Sequence, residues 1–204
     1  MSVRTFFDCA DPEVNPYSLM TSLIVPRPIA WITTISADGV GNLAPHSFFT
    51  VACARPPIVQ FTSVGKKDTL RNVRATGECT ISIASRPLLD LVNGSSAPFD
   101  AEVDEAGWLD VMMEPSERVA PPRVAASPAS LECTLHSTVE LGDSTVVFLD
   151  VVAVTVQESA LDGDHPTMAA LQPLSRLGVN EWGLPPEVIA VDRPRRAEDV
   201  PRRS

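Results

Sequence analysis

β-branched and apolar residues collect in short runs along this chain, and turn-forming residues separate them. Residues 29–36 (IAWITTIS) lead into Asp38-Gly39, and residues 40–44 (VGNLA) follow, which predicts two strands joined as a hairpin. Residues 58–63 (IVQFTS) and 79–84 (CTISIA) predict two more strands. Over residues 131–141 the period is two: Leu131, Cys133 and Leu135 fall on one face, and Glu132, Thr134 and His136 on the other, polar face. Asp143 marks a turn. Residues 145–156 (TVVFLDVVAVTV) then form the longest apolar β run, expected at the centre of a sheet.

Helical spacing is scarcer. Residues 68–75 (DTLRNVRA) start at Asp68 as N-cap and stop at Gly77. Residues 86–93 (RPLLDLVN) carry a proline in the first turn and end at Asn93-Gly94. Residues 167–177 (TMAALQPLSRL) have helix character interrupted by Pro173, and residues 115–128, rich in Pro, Ala and Ser, read as a loop. Hairpin-connected strands broken by a few short helices predict a mainly β fold, an antiparallel barrel with helical excursions. The order is not βαβ, no G-x-G-x-x-G follows a strand, and the P-loop pattern is absent.

Composition narrows the function classes. With 204 residues, 44% of them hydrophobic, the chain supplies one core. A net charge of −10 disfavours nucleic acid and anionic membrane as partners, because both need a broad basic face. No apolar run reaches bilayer length, and residues 1–18 lack the apolar core of a signal peptide, so a cytoplasmic location is expected. Cys9, Cys53, Cys79 and Cys133 form no C-x-x-C pair, and His46, His136 and His165 have no metal-ligand spacing. No metal site is expected, and the cysteines in strand runs read as buried reduced thiols.

Against the acidic background, Lys66, Lys67, Arg71 and Arg74 gather beside Thr62, Ser63 and Thr69. A strand end, a loop and a helix start there offer cations, hydroxyls and free backbone N–H groups, the set that a phosphate monoester needs. The alternative is a capped surface helix with solvated lysines. Upstream, Asn42 to Phe49 (NLAPHSFF) holds Pro45, which removes an N–H and is expected to end strand pairing. With the hydroxyl of Ser47 and the rings of Phe48-Phe49, such a corner could border a flat heteroaromatic ring. A bulged strand packing both phenylalanines into the core is the other reading.

Together these pieces resemble the flavin reductase-like family, whose members adopt the FMN-binding split barrel. The matching stretches are PRPIAWITT from Pro26, NLAPHSFF from Asn42, PPIVQF from Pro56, KDTLRN from Lys67 and TGECTISI from Thr76. PRVAASPASLEC, within residues 121–133, and LSRLGVNEW from Leu174 also match, so the resemblance covers residues 17–182 in order. It implies an antiparallel split β-barrel over 17–182, an N-terminal segment over 1–16, and a C-terminal arm over 183–204. That arm, with five arginines from Arg193 onward, is expected to be disordered or to wrap a partner subunit.

The resemblance further implies a homodimer with one FMN per subunit. Thr33, Thr34 and Ser47 would contact the flavin ring or ribityl chain, with backbone around Ala44 and Pro45. Ser63, Lys67 and Thr69 would hold the phosphate, and Arg176 and Gly178 would come near the flavin, from the same subunit or from its partner, with Trp182 as an aromatic neighbour. The implied activity is hydride transfer from NADH or NADPH to FMN and onward to free flavin, oxygen or a partner protein such as a flavin-dependent monooxygenase. An FMN-binding electron carrier with little NAD(P)H activity is the alternative. This sequence departs from the family at His46, where many relatives carry an aromatic or other apolar residue, and at Val179, which replaces the second glycine of RLGG.

No nucleophilic triad or paired carboxylate is visible, as expected where a cofactor carries the chemistry. His46 is the candidate proton donor or nicotinamide contact, against a plain hydrogen-bonding loop histidine. Residues 100–110 (DAEVDEAGWLD) lack EF-hand spacing and are expected to form a solvated helical lid near the cofactor groove, anchored by Trp108.

Overall fold

The computed structural model describes residues 2–200. Seven strands form the main sheet: β1 (Ala30–Ile35), β2 (Gly41–His46), β3 (Phe49–Cys53), β4 (Ile58–Val64), β5 (Glu78–Ile83), β6 (Ala129–Leu141) and β7 (Ser144–Val156). Their spatial order is β2-β1-β5-β6-β7-β4-β3, with every neighbouring pair antiparallel. The edge strands β2 and β3 are consecutive in the chain, so the sheet curls until its edges approach at Ser47-Phe48. There the Thr62 N–H donates to the Phe48 carbonyl (2.8 Å). No ladder joins the two edges, which leaves the barrel split.

The barrel interior is filled by Ile32, Phe61, Ile81, Val147 and Leu149, all fully buried, with Leu70 and Val73 from helix α2 (Asp68–Thr76). A second cluster covers the outer side of β1: Trp31 and Leu43 pack with Val92 of α3 (Leu89–Gly94) and Ala106 of α4 (Glu105–Trp108). β1 is therefore buried on both faces, which is why its sequence, AWITTI, does not alternate apolar with polar residues. The Trp31 indole N–H donates to Ser95 Oγ (2.8 Å), tying the segment after α3 to the sheet. Replacing a side chain this large and buried by alanine costs about 3–5 kcal/mol.

Helix α2 forms where its sequence predicts, and Gly77 closes it in a left-handed conformation (φ 78°) with its N–H on Val73 O. Its start differs in one respect. Lys67, not Asp68, is the N-cap, and no side chain caps the first turn. Asp68 lies inside the helix and pairs with Arg71.

Other expectations are corrected. Only Met168–Leu171 of the 167–177 segment is helical, because Pro173 has no N–H and disfavours a helical residue before it. Gln172 instead turns left-handed (φ 42°), and Ser175–Arg176 forms a short strand. Glu132 is not on a solvated face but fully buried. The proline-rich loop folds over it, and its carboxylate accepts from the backbone N–H of Glu117 (3.0 Å) and Arg118 (2.6 Å). Glu78 holds the same loop by accepting from Ala120 N–H (2.8 Å). Helix α1 (Pro16–Leu23) was not expected, although Asn15 caps it and proline occupies its first position. Strand β3, which ends at Cys53, has no bounds in the sequence reading, although Cys53 itself reads as part of a strand run. Of the strand cysteines, Cys79 and Cys133 are buried as direct cross-strand neighbours, while Cys53 is only half-buried.

Candidate functional site

The split in the barrel opens a cleft of about 380 Å³. One wall is the end of β2, from Ala44 to His46, continuing into Ser47 and Phe48. The first turn of α2 closes one end with Lys66, Lys67 and Thr69, beside Thr62 of β4. Ser95 to Phe99, after α3, form the opposite wall, while Glu105 and Tyr17 complete it.

Pro45 does not end strand pairing as expected. It lies within β2 opposite Trp31, and pairing continues to His46 opposite Ala30. β2 is an edge strand, so the missing N–H breaks no ladder, and the chain turns only at Ser47.

The cationic end is built on a buried polar network. Asn42 Nδ2 donates to Thr34 Oγ1 (3.2 Å) and Thr69 Oγ1 (3.1 Å), and Asn72 Nδ2 donates to Thr34 Oγ1 (3.1 Å). These bonds fix the first turn of α2 against β1 and β2, so its free N–H groups and Lys67 point from a rigid base. Of the four cations gathered in the sequence, Arg71 pairs with Asp68 and Arg74 with Glu140 (3.1 Å), whereas Lys66 and Lys67 face the cleft.

His46 Nε2 lies 3.2 Å from Thr69 Oγ1, and its ring centroid is 4.8 Å from that of Phe61. Burial, with the Lys67 charge adding to it, lowers its pKa from 6.5 to about 4. The imidazole is therefore neutral at pH 7, a hydrogen-bonding group rather than a cationic acid. Glu105, 6% exposed, accepts from Leu43 N–H (2.8 Å), and burial raises its carboxyl pKa.

The expected site residues fall into three groups. Ala44, Pro45, His46, Ser47, Lys67 and Thr69 line the cleft. Thr33, Thr34 and Ser63 lie buried behind its wall; Thr34 serves the network, Ser63 donates to Gly65 O (3.1 Å), and Thr33 Oγ1 has no partner among the described residues. Arg176 lies beside the cleft in a small hollow that shares Pro45 and Ser47 with it, its guanidinium 4.9 Å from the Trp182 ring centre. Gly178 lies farther off, against α1, where a Cβ would meet Ser22 Oγ at 2.7 Å.

Trp108 is not an anchor. It is 72% exposed, its ring meeting Phe99 in a T-shaped pair with centroids 6.0 Å apart, while the buried Glu105 and Ala106 hold α4 in place. Asn42 and Glu105 have no individual role in the sequence reading, although both lie in stretches it expects at the cofactor groove, and the Ser95–Phe99 wall is absent from it.

The model of one protein family, the flavin reductase like domain, matches residues 20–172. The chain belongs to that family. An uncharacterised protein of Deinococcus radiodurans is 37% identical over 188 residues, covering 86% of this chain and 83% of the relative. The structure of nitrilotriacetate monooxygenase component B from Bacillus cereus superposes with a TM-score of 0.89 at 25% identity, over 94% of this chain and all of that one (100%). An FMN-binding protein from Thermus thermophilus shares the fold at 19% identity, with a TM-score of 0.75 over 93% of this chain and 100% of the other. The mainly β split barrel is thus the fold of this family.

Proposed function

We propose that the protein is an FMN-dependent oxidoreductase that takes a hydride from NADH or NADPH and delivers electrons to an acceptor. The observation that carries this reading is the uncapped start of α2, flanked by Lys66, Lys67 and Thr69, at one end of a cleft of about 380 Å³. That volume lies in the range of small-molecule sites, and the donor set matches a phosphate monoester. FMN therefore fits the residues present, and the name of the Thermus thermophilus neighbour agrees with it.

When bound, the flavin supplies the hydride chemistry. The chain's own residues do the rest. Lys67, Thr69 and the α2 amides would hold the phosphate. Ala44, Pro45 and Ser47 would border the ring system, with Phe48 and Phe99 excluding water from its edge. Neutral His46 would hold Thr69 in register with the phosphate. Thr33 and Thr34 would act from behind the wall, by fixing β1 and the network. A partner enzyme as acceptor is supported by the Bacillus cereus neighbour, a monooxygenase component.

The test is a visible spectrum of the protein after FMN loading and desalting, followed by anaerobic addition of NADH and of NADPH. A retained flavin spectrum that bleaches with either nucleotide is the expected result. Retention with bleaching by neither would convert the reading into an electron carrier. Absence of any FMN binding in titration would overturn it.

A further inference from the structure

Beside the cleft, Arg27–Pro28 pairs antiparallel with Ser175–Arg176, which sets Arg27 directly opposite Arg176. Like charges in directly opposed positions repel. A cross-strand pair of this kind is normally relieved by a carboxylate. Among the described residues neither arginine forms a salt bridge. Burial, and then the Arg176 charge, hold Arg27 below its ordinary pKa.

Arg27 is only 9% exposed. It donates to the Thr21 carbonyl, to Ile24 O (3.0 Å) and to Leu177 O (2.8 Å), so it closes the C-terminal end of α1. Its Nε is buried with no partner among the described residues. Capping explains Arg27, but not the second guanidinium opposite it. Arg176 gives one N–H to Val179 O (2.9 Å) and rests on Trp182; its remaining N–H groups meet no protein acceptor among the described residues.

Both arginines line a hollow of about 300 Å³ with Tyr17, Ser18 and Ser47. Tyr17, Ser47 and Phe48 also line the main cleft, so the two spaces share a wall. None of Lys66, Lys67 and Thr69 reaches the hollow. Its cations are thus separate from those at the α2 end.

We propose that this hollow is an oxyanion subsite for the second substrate, taking a phosphate or carboxylate of the molecule that exchanges electrons at the adjoining cleft. The proposal rests on the cofactor reading of that cleft. On a chain of net charge −10, two unneutralised guanidiniums are the feature that draws an anionic substrate to this side of the cleft. Arg176 provides the free donors, and Arg27 contributes buried charge behind it.

The test is isothermal titration of the FMN-loaded full chain with two probes: ADP, which carries phosphates without nicotinamide, and benzoate, which carries only a carboxylate. At least one probe binds, and Arg176→Gln weakens it by about tenfold or more while Arg176→Lys keeps part of the affinity. Loss confined to ADP assigns the subsite to the nucleotide donor, and loss confined to benzoate assigns it to a carboxylate acceptor. The variant's affinity for FMN and its near-UV circular dichroism match the parent. The proposal is overturned if neither probe binds the parent, if Arg176→Gln binds both equally well, or if the variant loses FMN instead. Should the parent fail to bind FMN, the cofactor reading falls, and the same titration on the unloaded protein still decides the subsite.

Discussion

Val179 holds a left-handed backbone (φ 51°) with a β-branched side chain that is 80% exposed. The Cβ of an L-residue crowds the following carbonyl in that region, and the family resemblance expects glycine there. Little packing is lost on removing this side chain. Val179→Gly is predicted to stabilise the protein by about 1 kcal/mol, the strain relieved exceeding the backbone entropy added. Urea denaturation at pH 7 measures it, and a variant of lower stability contradicts the argument. His46 gives a second prediction at this scale. Its pKa is about 4 in the folded chain against 6.5 unfolded, so above pH 6.5 both states are neutral and the group is silent. As pH falls from 6.5 to 4 only the unfolded state gains the proton, and stability drops by up to about 3 kcal/mol. Glu105 acts oppositely: its raised folded pKa adds stability as pH falls through that value toward the unfolded one. His46→Gln should therefore lose less stability than the parent between pH 6.5 and 5. An identical pH slope for both proteins excludes the linkage.

At the scale of elements, α2 is the part on which the cofactor reading turns. Its first turn has no side-chain cap, and Lys67 occupies the N-cap position at the cleft. Lys67→Ala is predicted to weaken FMN binding by about 1–3 kcal/mol while leaving riboflavin affinity unchanged, since riboflavin has no phosphate. Equal losses for both ligands would move the phosphate elsewhere. The start of α2 was readable in sequence because cations, hydroxyls and a helix-start signal are all local. The strands were readable for the same reason, since β-branched runs and the Asp38-Gly39 turn mark them. What escaped is non-local. Glu132 alternates like a solvated residue, and only the loop folding over it from residues 115–128 buries it. Glu105 gave no signal either, because its role depends on the Leu43 N–H that the fold brings within 2.8 Å across 62 positions of chain. Thr34 was legible as important but not as what it is, a support behind the wall, because burial depth is a property of the curled sheet.

For the molecule as a whole, the question is what covers its remaining apolar surface. Leu184, Val188, Ile189 and Val191 in the arm are each more than half exposed, and Val154 on β7 and Leu141 on β6 are as well. Neither core cluster includes a residue beyond Trp182. The barrel is therefore packed without the arm, and among the described residues these side chains stay largely exposed on their own subunit. We propose a homodimer in which the arm that starts at residue 183 lies across the partner. Each apolar side chain moved out of water contributes about 1.5–3 kcal/mol, from which the cost of ordering the arm is subtracted. A chain ended at Gly183 should keep the near-UV circular dichroism of the full protein and dimerise at least about tenfold more weakly, read by sedimentation velocity across a concentration series. Identical sedimentation of both chains would detach the arm from the interface, and a monomeric full chain at all concentrations would remove the dimer itself.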